Sequence, residues 1–418
     1  MSMRVLLLLL LSVLLVALAY RVHLVLQRPL PPGLPEPEKV RWLDETGRIA
    51  LAVSSIIQHL GFNPAHDNLK FFINTVFSLT FNPLPWQRPE PVTLTVSQDV
   101  YSGVPVSVYT PHRAPSATHT QPTIVYFHGG GWTWMSVGVY DGPLKHLANT
   151  TRCKVIAVEY RKAPHHVFPA AYEDCLAVTR YVVKHALQLG VRQDAIMVAG
   201  DGAGGNLAAA VALALRDKLS MQILINPALQ ALNLATPSYQ DNAKLLPGIT
   251  SPEKEATNWL RYAGLPALYL PALLANQHVP RQQGQQLEPH VDSRLHLPGY
   301  LNLTRRHTAA LGDPDPEVAA QIGVKVADPR FCPMLASDVS GAANAYVIVS
   351  QYDVLRDEAV MYAHRLHQSK VKVKLKHYPN AFHGFFLFAG GGWLTFRDSL
   401  QAMEDLVDFI NVNVFGIY

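Results

Sequence analysis

Two periods of hydrophobicity divide this chain of 418 residues. Residues 39–82 repeat apolar positions at helical spacing, through Leu51, Ile56, Ile57 and Leu60 and on to Phe71, Phe72 and Phe77. They predict helices ahead of the first strand that contribute to a lid. From about residue 92 the period shortens to two. Val92–Val100 and Val104–Tyr109 alternate apolar and polar side chains, and Ser102-Gly103 between them is a hairpin turn signal. Short, nearly continuous apolar runs follow at Thr123–Phe127, Val155–Val158, Ile196–Ala199, Ile223–Ile225 and Tyr346–Val349. Such runs suit parallel strands buried on both faces. Helical stretches, among them Ala170–Leu189 and Ala203–Lys218, lie between them. Strands alternating with helices predict an α/β fold, a mostly parallel central sheet with helices on both faces. In the last strand, Val371–Tyr378, Lys370, Lys372, Lys374 and Lys376 alternate with apolar residues. That pattern reads as a protected edge strand in preference to a basic binding stripe. Residues 228–330, rich in Pro, Gln and Leu, break the rhythm. They read as an insertion after the sixth core strand that contributes a helical cap over the site.

The N-terminus changes the picture. Val5–Ala19 is uncharged and rich in Leu and Val, between Arg4 and Arg21. It is short for a membrane span of about 20 residues and long for a signal-peptide core, and Ala17-Leu18-Ala19 fits a small-x-small cleavage site. Residues 1–28 are therefore a signal-anchor or a signal peptide. Residues 29–90 hold a Pro-rich spacer, Pro29–Pro37, and the cap helices, and 91–418 form the main domain. Either reading places that domain in a secretory lumen, anchored to the membrane or secreted. By flanking charge alone, Arg21 and Arg28 after the segment against Arg4 before it favour the opposite orientation. The sequons at Asn149 and Asn302 suit a luminal domain.

Composition narrows the function. With 49% hydrophobic and 16% charged residues the chain is globular. A net charge of +4 with no Lys/Arg block argues against a nucleic-acid partner. Cys153, Cys175 and Cys332 allow at most one disulfide. His364 and His367 stand at i, i+3 on a predicted helix, but no third ligand is in view. They read as a solvated helix face, and neither metal nor cofactor is expected.

The chemistry gathers where predicted strands end. His128-Gly129-Gly130-Gly131-Trp132 follows one strand, and its glycines let bare N–H groups approach a developing oxyanion. Gly200-Asp201-Gly202-Ala203-Gly204 lies between a strand and a helix, the setting of a G-x-S-x-G nucleophile elbow, yet its centre is Gly202. Asp201 is expected to point away from the site. Asp353, after a strand, and His383, on a loop after the last one, complete the order nucleophile, acid, base. Ligand sites in such sheets lie beyond the carboxyl ends of the strands.

These residues resemble the hormone-sensitive-lipase-like branch of the α/β-hydrolases, and within it the arylacetamide deacetylase group. The likeness rests on HGGGW (128–132), EYRKAPHHVFPAAYED (159–174), GDGAGGN (200–206), QYDVLRDE (351–358) and FHGF (382–385), and runs the length of the chain. It implies an α/β-hydrolase fold and an enzyme of the endoplasmic reticulum membrane with a luminal catalytic domain, cleaving carboxylic esters or aryl amides. It also implies an oxyanion hole of Gly130, Gly131 and Ala203, with Asp353 and His383 as acid and base. The departure is glycine at 202, where the pattern has serine. Glycine has no oxygen with which to attack an acyl carbon. The expectation is a family member impaired in catalysis that keeps a pocket for an apolar ester, amide or acyl lipid. The alternative is an active hydrolase, through a water activated by His383 or in a serine-bearing variant. Trp259, Tyr262, Leu268, Tyr269 and Leu270 are the apolar cap residues suited to such a ligand, unless they only pack the cap.

Overall fold

The computed structural model describes residues 20–59, 93–112, 120–302, 304–390 and 393–416, with single positions at 16, 74, 75, 77, 78 and 82. Most of the apolar N-terminal segment, and Phe71 and Phe72 of the predicted lid helices, lie outside the described residues. No described helix is long and apolar enough to cross a membrane.

Eight strands form one sheet in the order β1-β2-β4-β3-β5-β6-β7-β8. They are β1 (Leu94–Tyr101), β2 (Val104–Pro111), β3 (Gln121–Phe127), β4 (Lys154–Val158), β5 (Val191–Asp201), β6 (Met221–Ile225), β7 (Asn344–Tyr352) and β8 (Val373–Phe382). β2 runs antiparallel to β1 and β4, and the other neighbours are parallel. The first hairpin turns at Ser102 (φ 53°) and Gly103 (φ 83°), two left-handed residues as a tight primed turn requires. Alternate residues of the central strands feed two cores. Val125, Phe127, Ile156 and Val198 pack on one face, and Ile124, Tyr126, Val155 and Met197 on the other. Burial on both faces is why these strands read as unbroken apolar runs.

The main helices are α1 (Pro37–His59), α2 (Asp141–Thr151), α3 (Ala170–Lys184), α4 (Ala203–Ala214), α5 (Pro237–Asn242), α6 (Pro252–Ala263), α7 (Pro316–Val326), α8 (Arg356–Gln368) and α9 (Arg397–Ile410). Between β6 and β7 the described chain is helical, from α5 to α7 with shorter turns between. β8 is the edge strand its lysines predict, and Lys376 pairs with Asp405 of α9 at 3.1 Å.

Two features position the pocket described below. Asp44 of α1 is buried, bonds Arg28 and Arg48, and accepts the Gly248 N–H at 2.7 Å. There α1 meets the 248–251 loop so closely that a Cβ on Gly47 would come within 1.9 Å of the Gly248 carbonyl oxygen. The Arg-Asp-Glu end of the motif at 351–358 is a clamp. Arg356 and Asp357 form a buried ion pair, and Asp357 accepts the Ser238 N–H at 2.6 Å. Glu358 accepts from the Leu229 N–H at 2.6 Å and from Gln230 at 2.9 Å. Together they hold the chain that leaves β6.

Candidate active site

The carboxyl ends of β3, β5 and β7, with the turn after β8, meet at one cavity of about 310 Å³. Gly202 bridges β5 and α4 with φ 52° and ψ −115°. Its N–H donates to Ile225 O at 3.0 Å, and its carbonyl accepts from Asn206 at 3.1 Å and Ala228 at 3.0 Å. A side-chain-bearing residue in such a conformation costs about 1–3 kcal/mol, and elbows carry that strain at their nucleophile. A Cβ built on Gly202 points into the cavity, 3.5 Å from His383 Nε2, and meets nothing closer.

His383 Nδ1 lies 2.9 Å from Asp353 Oδ2. The carboxylate accepts, so Nδ1 holds the proton and Nε2 faces position 202. Asp353 is buried; it also accepts from Asn226 Nδ2 at 2.9 Å and from the Leu355 N–H at 3.0 Å. Asn226 is itself fixed by a 2.6 Å bond to Ser350. Burial alone would lower the His383 pKa. The charge and hydrogen bond of Asp353 outweigh it, Glu255 adds attraction, and the result lies above the usual imidazole value.

The glycine-rich loop is tied down from below. Asp201 accepts from Tyr126 at 2.9 Å, Tyr140 at 2.7 Å and the Gly129 N–H at 3.2 Å. Its carboxylate therefore turns away from the position facing His383 Nε2 and braces the loop. Burial raises its pKa, although the tyrosine hydroxyls act against that. Gly130 (φ 102°) and Gly131 (φ 58°) adopt left-handed conformations. Among the described residues, no protein oxygen takes the N–H groups of Gly130, Gly131 or Ala203. Trp132 stacks on Tyr262 at 4.4 Å and tilts against Trp259 at 4.5 Å, which fixes α6 over the loop.

One wall of the cavity is apolar, with Leu43 and Ala50 of α1, Phe77, Met135 and Phe388. The other is polar and comes from the start of α6. There Ser251 caps the helix, Lys254 reaches the Ile249 carbonyl, and Asn258 donates to Glu255 at 3.3 Å. A Cβ on Gly131 would fall within 2.5 Å of the Asn258 side chain, so that amide covers the loop directly.

Comparison with known proteins agrees with this fold. A family model described as alpha/beta hydrolase fold matches residues 124–278 and 301–387. The chain is similar to rabbit (Oryctolagus cuniculus) arylacetamide deacetylase, 32% identical over 412 residues, covering 92% of this chain and 95% of the relative. The chain belongs to the α/β-hydrolases. Within them it falls in the hormone-sensitive-lipase-like arylacetamide deacetylase group. It is also similar to neutral cholesterol ester hydrolase 1 of mouse (Mus musculus), 28% identical over 422 residues, 97% of this chain and 98% of the relative. The solved structure titled "Structure of arylesterase" shares the fold with a TM-score of 0.61, at 23% identity over 92% of this chain and all of that one.

Against this hydrolase frame the predicted residues sort plainly. Gly202, Ala203, Asp353, His383, Gly130 and Gly131 come together. The aromatic cap residues do not join them. Trp259 and Tyr262 are fully buried against Trp132 and Phe331, Leu268 is exposed, Tyr269 bonds Glu317, and Leu270 packs on the core. None lines the cavity, and Trp259 and Tyr262 are taken up by their contacts with Trp132. His367 is exposed and His364 is half-buried. The Nδ1 of His364 meets that of His296 at 3.1 Å, and no group of three metal-ligating side chains exists among the described residues. The three cysteines are buried, and none forms a disulfide among the described residues. Asn149 lies half-buried on α2, and Asn302 follows a short turn and bonds the Arg306 carbonyl. Asn226, Lys254, Glu255 and Asn258 were not foreseen. The rule that sites lie beyond strand ends would have found Asn226, one residue past β6. No signal marks the three on α6.

Proposed function

We propose that this chain binds an apolar ester, amide or acyl lipid against Gly130, Gly131, Ala203 and His383, and that serine-dependent hydrolysis has been lost at Gly202. The single observation that carries this reading is the elbow. Gly202 holds the strained conformation of a nucleophile, and its side-chain direction opens 3.5 Å from His383 Nε2. In this reading Asp353 orients His383, and the N–H groups of Gly130, Gly131 and Ala203 form the oxyanion hole. Loss of a serine nucleophile costs about 10⁶-fold in turnover elsewhere, while an oxyanion hole alone retains roughly 10³–10⁴ over water. The N-terminal apolar segment supports anchorage in the endoplasmic reticulum membrane with a luminal main domain, and residues 228–330 serve as the cap.

Hydrolysis of a short-chain aryl ester by the purified full chain tests the proposal. Gly202→Ser is expected to gain activity that Gly202→Ser/His383→Ala loses again. Turnover by the native chain that depends on His383 would overturn the impairment and favour a water route.

A further inference from the structure

Building on that reading of position 202, we infer that the pocket takes the free carboxylate of an apolar acid. One carboxylate oxygen sits on the N–H groups of Gly130, Gly131 and Ala203. The other fills the space of a serine Oγ, against His383 Nε2. The argument is one of shape and charge. In an acyl-enzyme the carbonyl oxygen, acyl carbon and serine oxygen lie in one plane, the first in the oxyanion hole and the last beside the histidine. A carboxylate has the same three atoms in the same plane. With serine present its second oxygen would collide with Oγ. At Gly202 that direction is open to His383 Nε2, 3.5 Å beyond a built Cβ.

The surroundings favour an anion at this point. α4 begins at Ala203, runs for 12 residues and has no acidic residue in its first turn, so its positive end faces the cavity. His383 sits above the usual imidazole range and presents an Nε2–H donor when protonated. The groups that act on it are Asp353 after β7, Glu255 and Lys254 of α6, and Asp201 at the end of β5. Asp353 is occupied at Nδ1. Asp201 is spent on two tyrosines and the Gly129 N–H, and burial moves it toward its neutral form. Glu253, Lys254 and Arg261 of α6 also carry charge on the cavity wall, and the acid of that helix that acts on His383 is Glu255. It is 6% exposed, adds to Asp353 in raising the His383 pKa, and has the Lys254 ammonium, which acts the other way, on the same turn of α6. A neutral ester gains less from the imidazolium than a carboxylate does, and its alkoxy group must fit where a bare oxygen would.

Calorimetric titration of the full chain with phenylacetate and with methyl phenylacetate tests this. Both probes are soluble enough to avoid partition into detergent. Phenylacetate is expected to bind about tenfold tighter or more, the worth of a charge-assisted hydrogen bond. Its affinity should fall by about a decade per pH unit once His383 loses its proton, while the ester's stays level. Gly202→Ala, checked for folding by circular dichroism, should weaken phenylacetate by about tenfold, since its Cβ occupies the second oxygen's place. If that variant does not fold, the native pH profile carries the test. Ester bound as tightly as carboxylate, or carboxylate binding independent of pH, would sink the inference and leave the apolar-pocket reading standing. If neither probe binds, the reading of the pocket itself fails, and turnover of the ester by the native chain would overturn the loss of hydrolysis at Gly202 on which the inference rests.

Discussion

Gly202 is a residue whose chemistry and backbone point in opposite directions. The turn it occupies (φ 52°, ψ −115°) suits glycine better than the serine its neighbours call for. Gly202→Ser should therefore leave thermal stability unchanged or lower it. Backbone strain of about 1–3 kcal/mol works against about 0.4–1 kcal/mol from a less flexible unfolded chain. A rise in melting temperature of several degrees would contradict an elbow here. His383 makes a prediction in pH. Its folded pKa is raised above the ordinary 6.5. The Asp353 pairing thus stabilises the fold fully below that value, and the contribution is lost as pH rises through the folded pKa. In denaturant titrations the stability gap between native and His383→Ala should narrow steadily from neutral to alkaline pH. A gap that widens would reverse the sign of the shift.

At the scale of elements, α1 and α6 shape the cavity by different means. α6 is stacked on Trp132 through Trp259 and Tyr262, so its first two turns deliver Glu255 and Asn258 to fixed places. α1 is held through backbone contact, with Gly47 against Gly248 and with Asp44 bonded across the same gap. Gly47→Ala would place a methyl 1.9 Å from a carbonyl oxygen that cannot retreat as a side chain would. Overpacking of this kind costs about 1–3 kcal/mol. The expected result is faster limited proteolysis within 37–59 while denaturation of the sheet domain barely changes. Unaltered cleavage would mean that α1 is held by its ion pairs alone. In the sequence, Gly47 looks only like a weak point in a helix, because close approach to a segment two hundred residues away leaves no local trace.

At the scale of the whole molecule, legibility follows from periodicity. The parallel strands could be placed because burial on both faces leaves unbroken Val and Ile runs, as in Val155–Val158 and Tyr346–Val349. Gly130, Gly202 and Asp353 could be placed because each follows such a run, His383 because it follows the lysine-alternating last strand, and the fold brings strand ends together. The pocket wall escaped for the converse reason. Glu255 and Asn258 sit on an amphipathic helix whose composition tells that one face is buried and not against what. Trp259 and Tyr262 drew attention by size, yet they dock on Trp132, and Glu255, one turn ahead of Trp259 on the same face, is the residue that reaches the cavity.

The open direction at Gly202 also decides what a chemist can see. Phosphonate reagents that tag serine hydrolases do so by forming a bond to the nucleophilic oxygen. In this chain the pocket, the histidine and its carboxylate are assembled, but position 202 offers no oxygen to receive the tag. A survey that counts the family by covalent labelling would pass over this member, however abundant, and only a reversible ligand would register it.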